Sequence, residues 1–231
     1  MQPHSTSVQQ VIQETLSTLL RAPTEIVGCG RTDAGVHASQ YVAHFDAAGA
    51  LPQNLLRRLN RMLPPDIVVH DVTPAGPSTR YPGQPQHARF DASHRAYRYD
   101  LTRDKDPFRQ DTAWHYHAFA QLDRDAMQAC AKTLLDYAEF APFCKTKHDA
   151  KTLRCDLRHS EWRFSDSEMH YHVAADRFLR GMVRLIVGAC VQVGLGKLSL
   201  KHVTDALDAQ TPLPKPLSVP AAGLFLTEVR Y

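Results

Sequence analysis

Apolar residues recur at helical spacing through Val8, Val11, Ile12, Leu16, Leu19 and Leu20, directly after a Ser7-Val8-Gln9-Gln10 stretch of capping-box form. This predicts a first helix over Ser7 to Leu20. Glu25 to Gly28 then reads as a short extended segment, and Ser39 to Phe45 as a strand with Tyr41, Ala43 and Phe45 on one face. Pro52 opens a second helix through Leu55, Leu56, Leu59 and Met62, which Pro64-Pro65 ends; Ile67 to Val72 reads as another strand. Residues 74–86 hold Pro74, Pro77, Pro82 and Pro85 with two glycines and form a connector by composition. Further on, Arg95 to Leu101 alternates as a strand, Asp123 to Leu135 is helical, and Leu153 to Phe164 is extended. Ser165-Asp166-Ser167 turns into a strand over Met169 to Ala175. Arg177 to Val193 reads as a long helix, a shorter one starts at Ser199, and Leu224 to Val229 closes as a strand.

Two α/β domains follow from this pattern, residues 1–86 and residues 87–231, with the connector between them. The second half reads β-α-β-β-α-β with one additional helix, and the first reads α-β-β-α-β, an internal repeat that lacks one strand at its front. The expected fold class is α+β. Length and composition agree: 231 residues, 43% hydrophobic and 22% charged, are ordinary globular material with enough chain for a sizeable core.

A formal net charge of +3 permits a polyanionic partner without establishing one. The five cysteines, Cys29, Cys130, Cys144, Cys155 and Cys190, are scattered and form no C-x-x-C pair. Neither a disulfide framework nor a zinc ribbon is suggested, and a reducing cytoplasm fits best. No apolar run approaches the roughly 20 residues that span a bilayer, and Met1-Gln2-Pro3-His4 has no signal-peptide anatomy. An intracellular protein that does not enter membranes is expected.

The chemistry concentrates in Gly28-Cys29-Gly30-Arg31-Thr32-Asp33-Ala34-Gly35-Val36-His37-Ala38, where a carboxylate and a guanidinium two residues apart lie among three glycines. Glycine admits left-handed or closely approached backbone, so the run reads as a tight loop presenting Asp33 and Arg31 to a bulky ligand. Spacings of three, four and seven put Arg177, Arg180 and Arg184 on one stripe of the predicted helix, facing a ligand or a carboxylate. The competing reading is a solvated basic face, least so for Arg184, which sits among apolar neighbours. In His94-Arg95-Ala96-Tyr97-Arg98-Tyr99, alternation places both tyrosines on one side of a strand. Thirteen histidines, with His115-x-His117 and His170-x-His172, invite a metal hypothesis, but no third and fourth ligands stand in a recognisable pattern. Surface or ligand-facing histidines explain the count better, and no metal site is expected.

The run Gly30-Arg31-Thr32-Asp33-Ala34-Gly35-Val36-His37-Ala38 resembles the signature of the tRNA pseudouridine synthase A family. Met182-Val183-Arg184-Leu185-Ile186-Val187-Gly188 after Phe178, His87-Ala88-Arg89-Phe90-Asp91-Ala92, the Tyr97 strand and Pro220-Ala221-Ala222-Gly223-Leu224 resemble further stretches of that family, in the same order. The resemblance implies two ferredoxin-like halves sharing a mostly antiparallel mixed sheet, with the active cleft between them. It implies an Asp33 nucleophile that isomerises uridine to pseudouridine, paired with Arg184, and Tyr97 stacking on the target base. Arg31 resembles the family's arginine that takes the place of the extruded base, and His37 falls with it among the substrate-binding residues.

Arg89 reads as structural or phosphate-binding, Arg177 and Arg180 as RNA-binding. Leu224 resembles a residue lining the uracil pocket, with plain core packing as the competing reading; Tyr99 is expected as a core or cleft-wall aromatic and Phe143 outside the site. The implied substrate is uridine at positions 38 to 40 in the anticodon stem-loop of tRNA. The implied assembly is a homodimer, with no cofactor. Members of the family carry an initial strand before a Q-P-x-x-x-S/T-V-Q stretch, and this sequence begins essentially at that Gln2-Pro3. A missing strand would strand backbone donors and acceptors, so a stability or solubility defect is expected, and with it the rival function of an RNA-binding protein or folding chaperone without turnover.

Overall fold

The computed structural model describes residues 6–145, 152–214 and 217–231; the Gln2-Pro3 start lies outside them. In chain order the elements are α1 (Val8–Leu20), β1 (Ile26–Gly28), β2 (His37–Ala38), β3 (Ala43–Phe45), α2 (Leu55–Met62), β4 (His94–Thr102), β5 (Trp114–His115), α3 (Arg124–Thr133), β6 (Leu157–Phe164), β7 (Glu168–Ala175), α4 (Met182–Gly194), α5 (Leu200–Ala209) and β8 (Leu224–Arg230). Two compact units result. Of the described residues, the smaller holds those up to Arg31, Val42–Ala92 and Tyr231; the larger holds Thr32–Tyr41 and those between Ser93 and Arg230. This division differs from a single cut after residue 86. His37-Ala38 pairs in parallel with Phe225-Leu226 of β8, and that pairing draws the Asp33 stretch into the larger unit.

In the smaller unit, Ser7 caps α1 by accepting a hydrogen bond from the Gln10 N–H at 3.1 Å. The apolar stripe then delivers Leu16 and Leu19 to a core shared with Ile26, Leu55, Leu59 and Leu63. β1 and β3 pair antiparallel, Ile26 opposite Phe45. The strand expected over Ser39 to Phe45 is shorter than its pattern, because Ser39 belongs to the larger unit, where its N–H donates to the Leu226 carbonyl at 2.9 Å, and Ala43–Phe45 alone forms β3. No strand forms over Ile67 to Val72 among the described residues. The Asn60 side chain occupies both backbone groups of Val69, accepting from its N–H at 2.8 Å and donating to its carbonyl at 2.7 Å.

The larger unit is built on a mixed sheet in the order β2-β8-β4-β7-β6, with β5 added to β4. β4 runs antiparallel to β7 and β8, β6 antiparallel to β7, while β2 and β5 join in parallel. The succession β4-α3-β6-β7-α4-β8 reproduces the expected β-α-β-β-α-β pattern with α5 as the additional helix. Alternation along β4 turns Tyr99 and Leu101 inward to meet Met127 and Cys130 of α3 and Ile186 and Cys190 of α4, all buried. Helix α4 is apolar around almost its whole circumference and buried accordingly.

The long helix expected from Arg177 instead begins at Met182. Gly181 takes a left-handed conformation at φ 72°, and the Asp176 carboxylate accepts from the N–H groups of Arg177 and Asp156, both at 2.7 Å, which holds the preceding segment out of helical geometry. Arg177 and Arg180 therefore share no helical stripe with Arg184. Ser199 and Asp123 cap α5 and α3 as their sequence positions predict.

The burial contrast sets the expected effect of truncation. Ile186→Ala, at a side chain with no exposure, is expected to cost about 2–5 kcal/mol. Val68→Ala, at 60% exposure, is expected to stay within about 0.5 kcal/mol. Urea unfolding of the two variants beside the parent checks both values.

Candidate active site

Asp33 opens a four-residue turn in which the Val36 N–H donates to its carbonyl at 3.2 Å. Gly35, third in that turn, has φ 77°, a value that a side chain resists. The turn leads straight into β2, whose pairing with β8 fixes where the carboxylate points. On its other side stands Arg184, in the first turn of α4. One guanidinium nitrogen, Nη1, donates to Asp33 Oδ2 at 2.7 Å, while Nε donates to the Val219 carbonyl at 2.7 Å. The guanidinium is thus held from two sides before any ligand arrives.

A second cation reaches the same oxygen: Lys145 Nζ donates to Asp33 Oδ2 at 3.1 Å. The three side chains retain 29%, 16% and 33% exposure for Asp33, Arg184 and Lys145, so the cluster is accessible yet partly desolvated. Burial on its own would raise the Asp33 pKa. The hydrogen bonds and charges of Lys145 and Arg184 outweigh it and hold the carboxyl below its ordinary value. The arrangement keeps a carboxylate ionised, oriented and within reach of solvent, which suits nucleophilic attack or proton abstraction.

The remaining predicted residues distribute differently. Tyr97 is half-buried on β4 and meets Phe178 edge to face, with ring centroids 5.1 Å apart. Tyr99 is fully buried and donates to the Pro220 carbonyl at 2.8 Å, and Phe143 is fully buried as well. Leu224 is buried opposite Tyr99 in the β4–β8 register, in the larger core. His37 stacks on Phe225 with centroids 4.8 Å apart, and its Nε2 lies 2.6 Å from the Asp111 carbonyl.

Arg177 is half-buried and Arg180 exposed in the segment before α4; the Arg180 carbonyl accepts from the Lys145 N–H at 3.0 Å. Arg31 and Arg89 are exposed in the smaller unit, where the Arg89 guanidinium lies 5.9 Å from the Phe90 ring centre. His170 is occupied by Asp100 at 2.8 Å and Glu168 at 3.0 Å. No group of three or more metal-ligating side chains occurs among the described residues.

Lys145 was not foreseen. It lies 112 residues from Asp33, belongs to no periodic stripe, and follows Phe143-Cys144 with nothing to distinguish it from other lysines. Nor did any pattern announce that the Val219 carbonyl would hold Arg184. Two cavities of the larger unit, of about 230 and 370 Å³, are lined by Trp114, Gly188 and Val219 and by Tyr137, Cys155 and Asp176, among others; Asp33 lines neither.

Residues 131–231 match a family model described as tRNA pseudouridine synthase. The whole chain aligns with a protein from Parabacteroides distasonis named tRNA pseudouridine synthase A, 41% identical over 233 residues and covering 89% of that protein. A protein of the same name from Bacteroides thetaiotaomicron is 41% identical, with all of this chain and 84% of the relative covered. The chain belongs to the tRNA pseudouridine synthase family. A more distant relative of the same name, from Corynebacterium glutamicum, is 38% identical over 97% of this chain and 80% of its own length. Membership makes the chain an enzyme, an isomerase, on an α+β scaffold with a mixed sheet. Among the described residues no helix is long and apolar enough to cross a membrane.

The lowered Asp33 pKa carries a sign. A carboxylate whose folded value lies below its unfolded value of about 3.9 contributes stability that is complete above that value and is lost as pH falls through the folded one. The stability of the parent relative to Asp33→Asn is therefore expected to rise between about pH 2 and pH 5 and to stay level above. Urea midpoints for both proteins across that range check it, and a difference independent of pH would refute the pairing.

Proposed function

We propose that this enzyme isomerises uridine to pseudouridine in tRNA, at positions 38 to 40 of the anticodon stem-loop, with Asp33 as nucleophile. The reaction breaks the bond between ribose C1′ and base N1 and joins C1′ to C5 of the same base. The C5 proton leaves, and N1 gains one. No oxidant or external group enters, so the chain must supply an ionised nucleophile, a hold on the base and a place for protons. The single observation that supports this reading most is the Asp33–Arg184 ion pair at 2.7 Å, closed across 151 residues of sequence.

A stacked uridine cannot present C1′ or C6 to a side chain, so the base is everted into the site at a cost of a few kcal/mol. In this reading Arg31 fills the vacated place, Tyr97 stacks on the base and Leu224 lines its pocket, while His37, Arg89, Arg177 and Arg180 contact the RNA. Recognition rests on RNA shape and phosphates, which lets one enzyme serve neighbouring positions. We read the larger unit as one of two ferredoxin-like halves; its strand order β8-β4-β7-β6 supports this. The working form is a homodimer in the cytoplasm.

Asp33→Asn is expected to abolish pseudouridine formation while leaving tRNA affinity within about tenfold, because the substitution removes the nucleophile and leaves the basic surface intact. Chemical mapping of pseudouridine in an unmodified tRNA transcript, beside a binding titration, checks both halves. Equal yields from parent and variant would overturn the catalytic assignment and favour an RNA-binding role without turnover.

A further inference from the structure

We propose that Lys145 is a positioning residue for the reaction: together with Arg184 it ties down one oxygen of Asp33, so that the other oxygen is presented to the uridine. The inference rests on the reading of Asp33 as nucleophile and deepens it. Both cations converge on Oδ2, at 2.7 Å for Arg184 Nη1 and 3.1 Å for Lys145 Nζ. Among the described residues Oδ1 accepts no hydrogen bond. A carboxylate loaded on one side has its second oxygen oriented and undistracted, whereas a bidentate fork from one arginine would occupy both.

The lysine is built into this place. Its N–H donates to the Arg180 carbonyl at 3.0 Å, which brings the residue alongside the start of α4. From there its stem runs across Gly181. A Cβ at that position would lie 2.7 to 2.9 Å from Lys145 Cε, Cδ and Cγ, so a side chain there would push the stem off its path. The left-handed Gly181 thus does two things at once: it starts the helix that carries Arg184 and leaves the lane by which Lys145 reaches Asp33. Arg184 is fixed by Val219 whether or not Lys145 is present, so the two cations are not redundant. The guanidinium sets the position of Oδ2, and the ammonium closes the remaining direction around it.

The test compares Lys145→Met, which keeps the stem and removes the charge, with Lys145→Arg, which restores the charge, and with Asp33→Asn. Single-turnover pseudouridine formation on saturating unmodified tRNA transcript is followed against pH, and tRNA affinity is titrated at two salt concentrations. Lys145→Met is expected to slow single turnover by about ten- to a hundredfold, the loss of one charge-assisted hydrogen bond. It should also move the acid limb of the rate profile to higher pH, because the carboxyl loses a cation, with tRNA affinity within about threefold. Lys145→Arg should return the acid limb and most of the rate.

A parent-like acid limb in Lys145→Met would overturn the proposal. So would a defect lying wholly in affinity with a salt slope lower by about one ion, the mark of a phosphate contact. Retained tRNA binding shows that the variant has folded. Turnover by Asp33→Asn would remove the nucleophile assignment itself, whereas an inactive Asp33→Asn beside an unaffected Lys145→Met would remove the lysine's role alone.

Discussion

A partly buried carboxylate needs a counter-charge held in place by something other than itself, and the pairing of Asp33 with Arg184 meets that constraint within the larger unit. Each partner is fixed independently. Asp33 is carried by a turn that runs into β2 and so into the sheet through β8, while Arg184 rises from a buried helix and is gripped by the Val219 carbonyl. Neither side chain has to search for the other. The orientation of the carboxylate is settled by folding and not at the moment a ligand binds.

Helix α4 shows how core and chemistry share one element. Its apolar circumference packs against the sheet and α3, and this burial holds the helix rigidly. Its first turn breaks the apolar pattern, as Gln192 does near the far end, and from that first turn the arginine emerges. Immediately before it the backbone turns through Gly181, which separates the helix from the Arg177–Arg180 segment. That separation leaves Arg177 and Arg180 outside the helix that carries Arg184.

Much of this was legible in residue order. The Ser7 cap and the spacing that follows gave α1, alternation gave β4 and β7, and the family resemblance of the Asp33 and Arg184 stretches implied the ion pair. What escaped was non-local. Ile67 to Val72 has strand composition, but a strand needs a neighbour, and Asn60 took the available backbone groups. Arg177 to Gly181 has helical spacing, yet a left-handed glycine and an aspartate that accepts two backbone N–H groups override it. Lys145 meets Asp33 only through tertiary structure, and no periodicity encodes such a meeting.

The parallel pairing of β2 with β8 has a temporal consequence. His37 and Phe225 come together across 188 positions of chain, so the short strand that aims Asp33 has no partner until β8 exists. Contacts of such long range form late and slowly. A nascent chain released from the ribosome only as far as α5 already holds Asp33, Lys145 and Arg184, yet it lacks the strand that would align them. On the proposed role of Asp33, synthesis order alone thus withholds the nucleophile from RNA until the scaffold that aims it is complete.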